Sequence, residues 1–179
     1  MDEQIILAVD DNGKFSGEYI PKMVGHRGEG KRHLAITVLL YNSKGEVLLQ
    51  KRKHKVFDKT WDFTGSTHPL HLPSGKDETL EEATLRCLKV EYGIGEKVPL
   101  KNFGFFNYFA RYGDLCENEH CAMMVGIYSG EINVNPEVAY DIKWLPKQKF
   151  LEDIKKNPEN YCPWVLEGVK VLGRAGFFK

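Results

Sequence analysis

Along the chain, apolar positions recur at two spacings. Residues 5–10 (IILAVD) form an apolar run that enters a turn at Asp11-Asn12-Gly13-Lys14, which predicts a strand and a tight turn. The segment HLAITVLLYNSKGEVLLQKR, from His33 to Arg52, has two β-branched and leucine-rich runs flanking NSKGE and predicts a hairpin. Lys53 to Lys76 reads as a long loop, the kind of segment that carries function inside a compact domain. From Asp77 to Tyr92 the spacing becomes helical, with Leu80, Ala83, Thr84, Cys87 and Leu88 on one stripe. Ser74 or Asp77 stands as the cap, Glu78, Glu81 and Glu82 favour the positive end, and Gly93 stops the helix. Glu91 falls on the same apolar stripe, where an unpaired carboxylate is costly. Further strands are predicted near Phe103–Tyr108, His120–Ile127 and Asp141–Leu145, and helices over Lys147–Lys156 and Pro163–Leu172. Strands and helices mixed on this scale predict an α/β sandwich in one domain, residues 1–179, with its core at about 31–165.

Composition narrows the functional classes. Apolar residues make up 42% of the 179 and charged residues 28%, the balance of a globular chain. Lys plus Arg equals Asp plus Glu at 25 each, so bulk charge gives no pull toward nucleic acid or an anionic membrane. Any anion site must be built locally. The N-terminus MDEQIILAVDDNGK is acidic, its apolar run is too short for a signal peptide, and no run approaches the ~20 residues of a membrane span. Cys87, Cys116, Cys121 and Cys162 show no CxxC pair, so free thiols and a cytoplasmic location are expected.

Three groups of residues carry candidate chemistry. In CENEHC, Glu117 and Glu119 project to one face if the segment is extended, which calls for a cation or for solvent. His26, His33 and His68 join them as a five-ligand nitrogen and oxygen set, suited to Mg²⁺, Mn²⁺ or Zn²⁺. Spacing alone leaves open whether these separated segments converge. Lys51, Arg52, Lys53, His54, Lys55 and Lys59 form either a solvated hairpin end or a clamp for phosphate oxygens.

Taken together, WDFTGSTHP (Trp61 to Pro69), ENE (Glu117 to Glu119), the seven-residue interval between His26 and His33, RCLKVEYGI (Arg86 to Ile94) and CPW (Cys162 to Trp164) resemble the type I isopentenyl diphosphate isomerases. That family is a branch of the Nudix superfamily, and the likeness runs from about residue 4 to 170. It implies a Nudix α/β/α sandwich around a mixed β-sheet. It also implies a divalent metal held by His26, His33, His68, Glu117 and Glu119, with Glu91 holding a second cation through a small-molecule diphosphate. Lys22, Arg52, Lys55 and Arg86 would contact that substrate, and Trp164 would lie over its pocket; read as residues, Trp61, Phe63 and Trp164 suggest an apolar pocket wall, although aromatic side chains more often pack a core. Glu119 would donate a proton and Tyr108 would orient it.

The sequence departs from the pattern where the chemistry is sharpest. Ser66 stands where the family has its catalytic cysteine, and a Ser hydroxyl is a far weaker acid than a thiol titrating near ~8.5. Asp62-Phe63 replaces a Thr-Asn pair, and Cys87 replaces one of two helix arginines, leaving Arg86. Cys121 shares strand parity with Glu117 and Glu119, although packing is the usual fate of such a residue. Three functions follow as expectations: a metal-dependent isomerase of a prenyl diphosphate, with Ser66 relaying a proton; a Nudix hydrolase using a metal-activated water; or a non-catalytic diphosphate-binding module. The hydrolase pattern R-E-x-x-E-E is itself incomplete, since Arg86 and Glu91 remain, Glu78 fits an earlier position, and Cys87 and Val90 occupy carboxylate seats.

Overall fold

The computed structural model describes residues 3–95 and 97–179, so the first two residues of the acidic N-terminal run lie outside it. In chain order the elements are β1 (Ile5–Val9), β2 (Phe15–Pro21), α1 (Lys22–Gly25), β3 (His33–Tyr41), β4 (Glu46–Arg52), β5 (Trp61–Asp62), β6 (Gly65–Thr67) and α2 (Leu80–Tyr92). They are followed by β7 (Leu100–Tyr112), β8 (Leu115–Ile127), β9 (Ala139–Pro146), α3 (Lys147–Lys156), a 3₁₀ turn (Pro158–Asn160) and α4 (Pro163–Arg174).

β3 lies parallel to β8 from His33↔Glu119 to Tyr41↔Ile127, and antiparallel to β6, so the sheet is mixed. Both faces of these strands are covered. The even positions Ile36, Val38, Leu40, Ala122 and Met124 pack with Ala83, Leu88 and Tyr92 of α2. The odd positions Ala35, Leu39, Cys121, Met123 and Val125 pack with Phe150 of α3 and Trp164, Val165 and Leu172 of α4. That is the α/β/α sandwich, and it explains why β3 reads as an unbroken apolar run rather than an alternating one.

Several expectations change in detail. The turn at NSKGE forms, but β3 and β4 pair only at Tyr41↔Val47 before they part. β4 goes on with β9 and β5, whereas β3 goes on with β6 and β8. The Thr64 hydroxyl spans the gap, accepting from the Leu40 N–H and donating to the Leu48 carbonyl, each at 2.8 Å. The expected loop at 53–76 therefore contains β5 and β6, seated inside the split. β2 was not expected, because its outward positions are mostly polar or exposed.

α2 begins at Leu80, not Asp77, and its cap is Thr79, whose hydroxyl accepts from the Glu82 N–H while the Glu82 carboxylate accepts from the Thr79 N–H. This reciprocal capping box satisfies two of the helix's free N–H groups. Asp77 instead accepts from His71 at 2.6 Å and Tyr19 at 3.1 Å. Gly93 ends the helix with φ 67°, a left-handed conformation. Among the described residues no helix is long and apolar enough to cross a membrane.

Candidate functional site

Register builds the site. His33 lies directly across β3/β8 from Glu119, and Tyr108 lies directly across β7/β8 from the same residue. Ala35 faces Cys121, and Thr37 faces Ser66 across β3/β6. Directly paired residues point to one face of a sheet, so His33, Thr37, Ser66, Tyr108, Glu119 and Cys121 form a common floor. His68 follows β6 onto that floor, and His26 arrives from the end of α1.

The five expected ligands converge: one donor atom from each of His26, His33, His68, Glu117 and Glu119 lies within 4.8 Å of every other, and all five residues are buried. His26 Nε2 is 3.0 Å from Glu117 Oε2, and His68 Nε2 is 3.0 Å from Glu119 Oε1. The other nitrogens of two rings are fixed from behind. His26 Nδ1 meets the Lys22 carbonyl and His33 Nδ1 meets the Lys31 carbonyl, both at 2.7 Å. With Nδ1–H donating, each Nε2 presents a lone pair inward, as metal-binding imidazoles do. His33 Nε2 is buried, 3.5 Å from Glu119 Oε1, without a hydrogen-bond partner. A buried lone pair facing carboxylates fits a cation, and these donors suit a divalent metal.

The electrostatics differ from ring to ring. Burial pushes the His68 pKa well below its ordinary value, and Lys22, His33 and His26 add to this, so the ring stays neutral. Burial also opposes charge on His26, but the Glu117 carboxylate outweighs it and the pKa rises. Burial opposes ionisation of Glu119, yet its contact with His33 prevails and holds the pKa below the usual value. Glu119 is two-sided: Oε1 faces the histidines, while Oε2 accepts from the Tyr108 hydroxyl at 2.5 Å.

This floor lies beneath a cavity of about 520 Å³. Of the expected substrate residues, Lys22, Arg52, Lys55 and Trp164 line it, as do Ser66 and Tyr108. Arg86, Trp61, Phe63 and Glu91 do not. Arg86 is held by Glu78 at 2.7 Å and by the His68 carbonyl at 2.8 Å, so it braces the loop bearing that candidate ligand. Trp61 lies under Lys143 Nζ, 3.8 Å from the ring centroid. Phe63 is fully buried in the core on the α3/α4 side. Glu91 lies outside the five-residue cluster, behind β6: a Cβ on Gly65 would fall 2.8 Å from Cys87 Sγ and 3.1 Å from Glu91 Oε2. Its Oε2 is buried without a partner, and burial raises the Glu91 pKa to about 7. Cys121 does line the cavity as its parity predicts, but burial, then Glu119, push its thiol well above the ordinary range.

Sequence reasoning flagged Asp62 as a departure but did not foresee its role. Its carboxylate, fully buried, accepts from Arg52 Nη1 at 2.8 Å, Trp164 Nε1 at 2.6 Å and the Phe63 N–H at 2.7 Å, with Ser66 Oγ at 3.3 Å. Burial pushes its pKa up while the Arg52 charge and the indole N–H oppose this. Thr37, also missed, accepts from Ser66 Oγ at 3.1 Å. The available signal was a lone polar residue within an apolar strand run.

A NUDIX domain model matches residues 31–165. The chain is 32% identical over 167 residues to isopentenyl-diphosphate Delta-isomerase 1 of Aromatoleum aromaticum, covering 92% of this chain and 89% of the relative. It is 28% identical to the isopentenyl-diphosphate Delta-isomerase of Haloarcula marismortui, covering 90% and 87%. Among solved structures it resembles DR0079 of Deinococcus radiodurans, with TM-score 0.64 and 18% identity over 86% of this chain and 90% of that one. A MutT protein of Methanosarcina mazei gives TM-score 0.62 and 19% identity over 81% and 95%. At these identities the likeness to solved structures is one of fold.

Proposed function

The chain belongs to the NUDIX family as an isopentenyl-diphosphate-isomerase-like enzyme, and from that premise we propose that it shifts the double bond of a short prenyl diphosphate such as isopentenyl diphosphate. The observation that carries this reading is Glu119, clasped by Tyr108 on one oxygen and facing the histidines with the other, on the floor of a cavity whose rim is cationic. His26, His33, His68, Glu117 and Glu119 would hold Mg²⁺ or Mn²⁺, with Zn²⁺ also compatible with the donors. When bound, the cation supplies positive charge that offsets the two carboxylates and strengthens acids beside it.

The residues of this chain would act as follows. Lys22, Arg52 and Lys55 bind the diphosphate, and Trp164 packs on the hydrocarbon. Glu119, an ionised carboxylate in the free protein, must first take up a proton in the complex, and then gives it to the terminal alkene carbon, using the π electron pair. The neighbouring C–H pair becomes the new double bond as Ser66 Oγ takes that proton and passes its own hydroxyl proton to the Asp62 carboxylate, 3.3 Å away. A hydroxyl is poorly matched to proton exchange near neutrality. The Ser66 reaction is therefore slow, and Ser66→Cys is expected to raise double-bond shift by about 100-fold or more.

Hydrolysis is the weaker reading. On α2, Cys87 and Val90 occupy two carboxylate seats of the hydrolase pattern, and Glu78 is consumed by Arg86. Purified protein with Mg²⁺ or Mn²⁺, assayed on isopentenyl diphosphate and a panel of nucleoside diphosphate sugars, separates the two. Double-bond shift without phosphate release supports isomerisation. Phosphate release, or no gain in Ser66→Cys, sinks it.

A further inference from the structure

Of the residues of the cationic run that line the cavity, one has no role in the proposed reaction. His54 lines the same cavity as Lys22, Arg52 and Lys55, and its ring makes no hydrogen bond among the described residues. Its position is built rather than incidental. The Arg52 N–H donates to the Thr60 carbonyl, the Lys59 N–H to the Arg52 carbonyl and the Lys53 N–H to the Val138 carbonyl, each at 2.9 Å. The His54 N–H donates to Asp58 Oδ1, and the Thr60 hydroxyl to the Phe57 carbonyl. Phe57 and Lys59 adopt φ of 52° and 62°, a left-handed conformation that side chains rarely accept. Non-glycine residues in such conformations concentrate at functional sites. The Phe57 ring anchors the loop against Trp164 and Tyr112, with centroids 5.4 and 5.1 Å apart.

The charges around the ring are mostly of one sign. Partial desolvation of the ring, then Arg52 on β4 and Lys22 on α1, lower the His54 pKa to about 4, although the residue as a whole is exposed at the cavity. Lys55 adds to this from the same loop, and Glu117 on β8 opposes it. Glu3 also lines the cavity, and Asp58 is engaged by the backbone N–H. An anion that pairs with Lys22, Arg52 and Lys55 cancels the cationic part of that effect and offers oxygens whose charge and hydrogen bonding favour the protonated ring against its desolvation.

We propose that His54 is a fourth phosphate-binding residue, neutral in the free protein, which takes up a proton when a diphosphate group enters, so that substrate capture is coupled to proton uptake. This rests on the diphosphate reading given above. Linkage fixes the sign: a group protonated only in the complex makes binding tighter as pH falls. If the bound ring returns to its ordinary value near ~6.5, this term strengthens binding about tenfold from pH 7.5 to 5.5.

The test is titration calorimetry of the Mg²⁺-loaded protein with inorganic diphosphate at pH 6.5, in buffers of different ionisation heat, for the wild type, His54→Gln and His54→Lys. Ligand titration and metal-ligand protons are common to all three, so the differences isolate His54. The expected result is about half a proton more taken up by the wild type than by either variant. His54→Lys, permanently charged, should also lose the pH-dependent gain while retaining affinity at pH 7.5. Equal proton uptake in the wild type and His54→Gln, with binding intact, overturns the role of His54 alone. Absence of diphosphate binding by the wild type overturns the diphosphate reading as well.

Discussion

Asp62 and Glu119 are both buried carboxylates near the same cavity, and their surroundings differ in one respect. Asp62 accepts from three donors, Arg52, Trp164 and the Phe63 N–H, with Ser66 Oγ 3.3 Å away, and its charge faces a guanidinium directly. Glu119 has the Tyr108 hydroxyl on one oxygen, while the other faces histidines whose group includes an unpartnered Nε2. In the first cluster the Asp62 carboxylate is satisfied without any ligand, although Arg52 Nε beside it is buried without a partner. In the second, lone pairs and negative charge converge on a common point. A satisfied buried network fixes structure, whereas an unsatisfied one marks where something else binds. The residue types are similar, so the difference lies in how many donors the fold delivers to each carboxylate.

Four measurements break or sharpen this comparison. Asp62→Ala removes the partner of a buried guanidinium and should destabilise the fold by about 3–5 kcal/mol in urea unfolding, with Mn²⁺ affinity unchanged. A parallel loss of metal would show that the two clusters are not separable. His68→Ala, on the other side of the comparison, should weaken Mn²⁺ binding at least about 100-fold by calorimetry, and unchanged metal content would remove His68 from the set. Glu91 tests a third buried carboxylate, complete on neither account. Its folded pKa of about 7 exceeds the ordinary 4.5, so the stability it contributes is full below about pH 4.5 and is lost as pH rises through 7. The stability of Glu91→Gln relative to the wild type should therefore improve by about 2–3 kcal/mol between pH 5 and 8, and a flat difference would refute it. Thr79→Ala, distant from both clusters, should cost about 1 kcal/mol through the lost cap and leave metal affinity alone. A larger loss would mean that α2 does more than pack.

Ser66 sits between the two clusters in function as well as in space. It shares Asp62 with Arg52 and Trp164, and it lines the cavity above the candidate ligands. Replacing a thiol by a hydroxyl there places the second proton-transfer group within a network already organised by Asp62. That is why Ser66→Cys and Asp62→Ala report on different properties, proton exchange in one case and positioning in the other.

Residue chemistry and local spacing determined much of this protein. Period and punctuation located the helix that ends at Gly93, the strands on either side of NSKGE, and the terminal helices, because these depend on neighbours a few residues away. The candidate ligands were legible through the resemblance carried by WDFTGSTHP, ENE and the His26–His33 interval, whereas spacing alone left their convergence open. Tertiary structure alone decided what meets what. Nothing local states that β3 leaves β4 after one pair, that β6 and the rest of its loop enter the gap, or that β3 takes β8 as a parallel partner. That parallel register sets His33 against Glu119, and the β7 register adds Tyr108. It also left Arg86, Trp61, Phe63 and Glu91 off the cavity despite their motif positions. A strand's partner and register are long-range choices, fixed by which faces become buried, and a one-residue slip would turn every one of these side chains away.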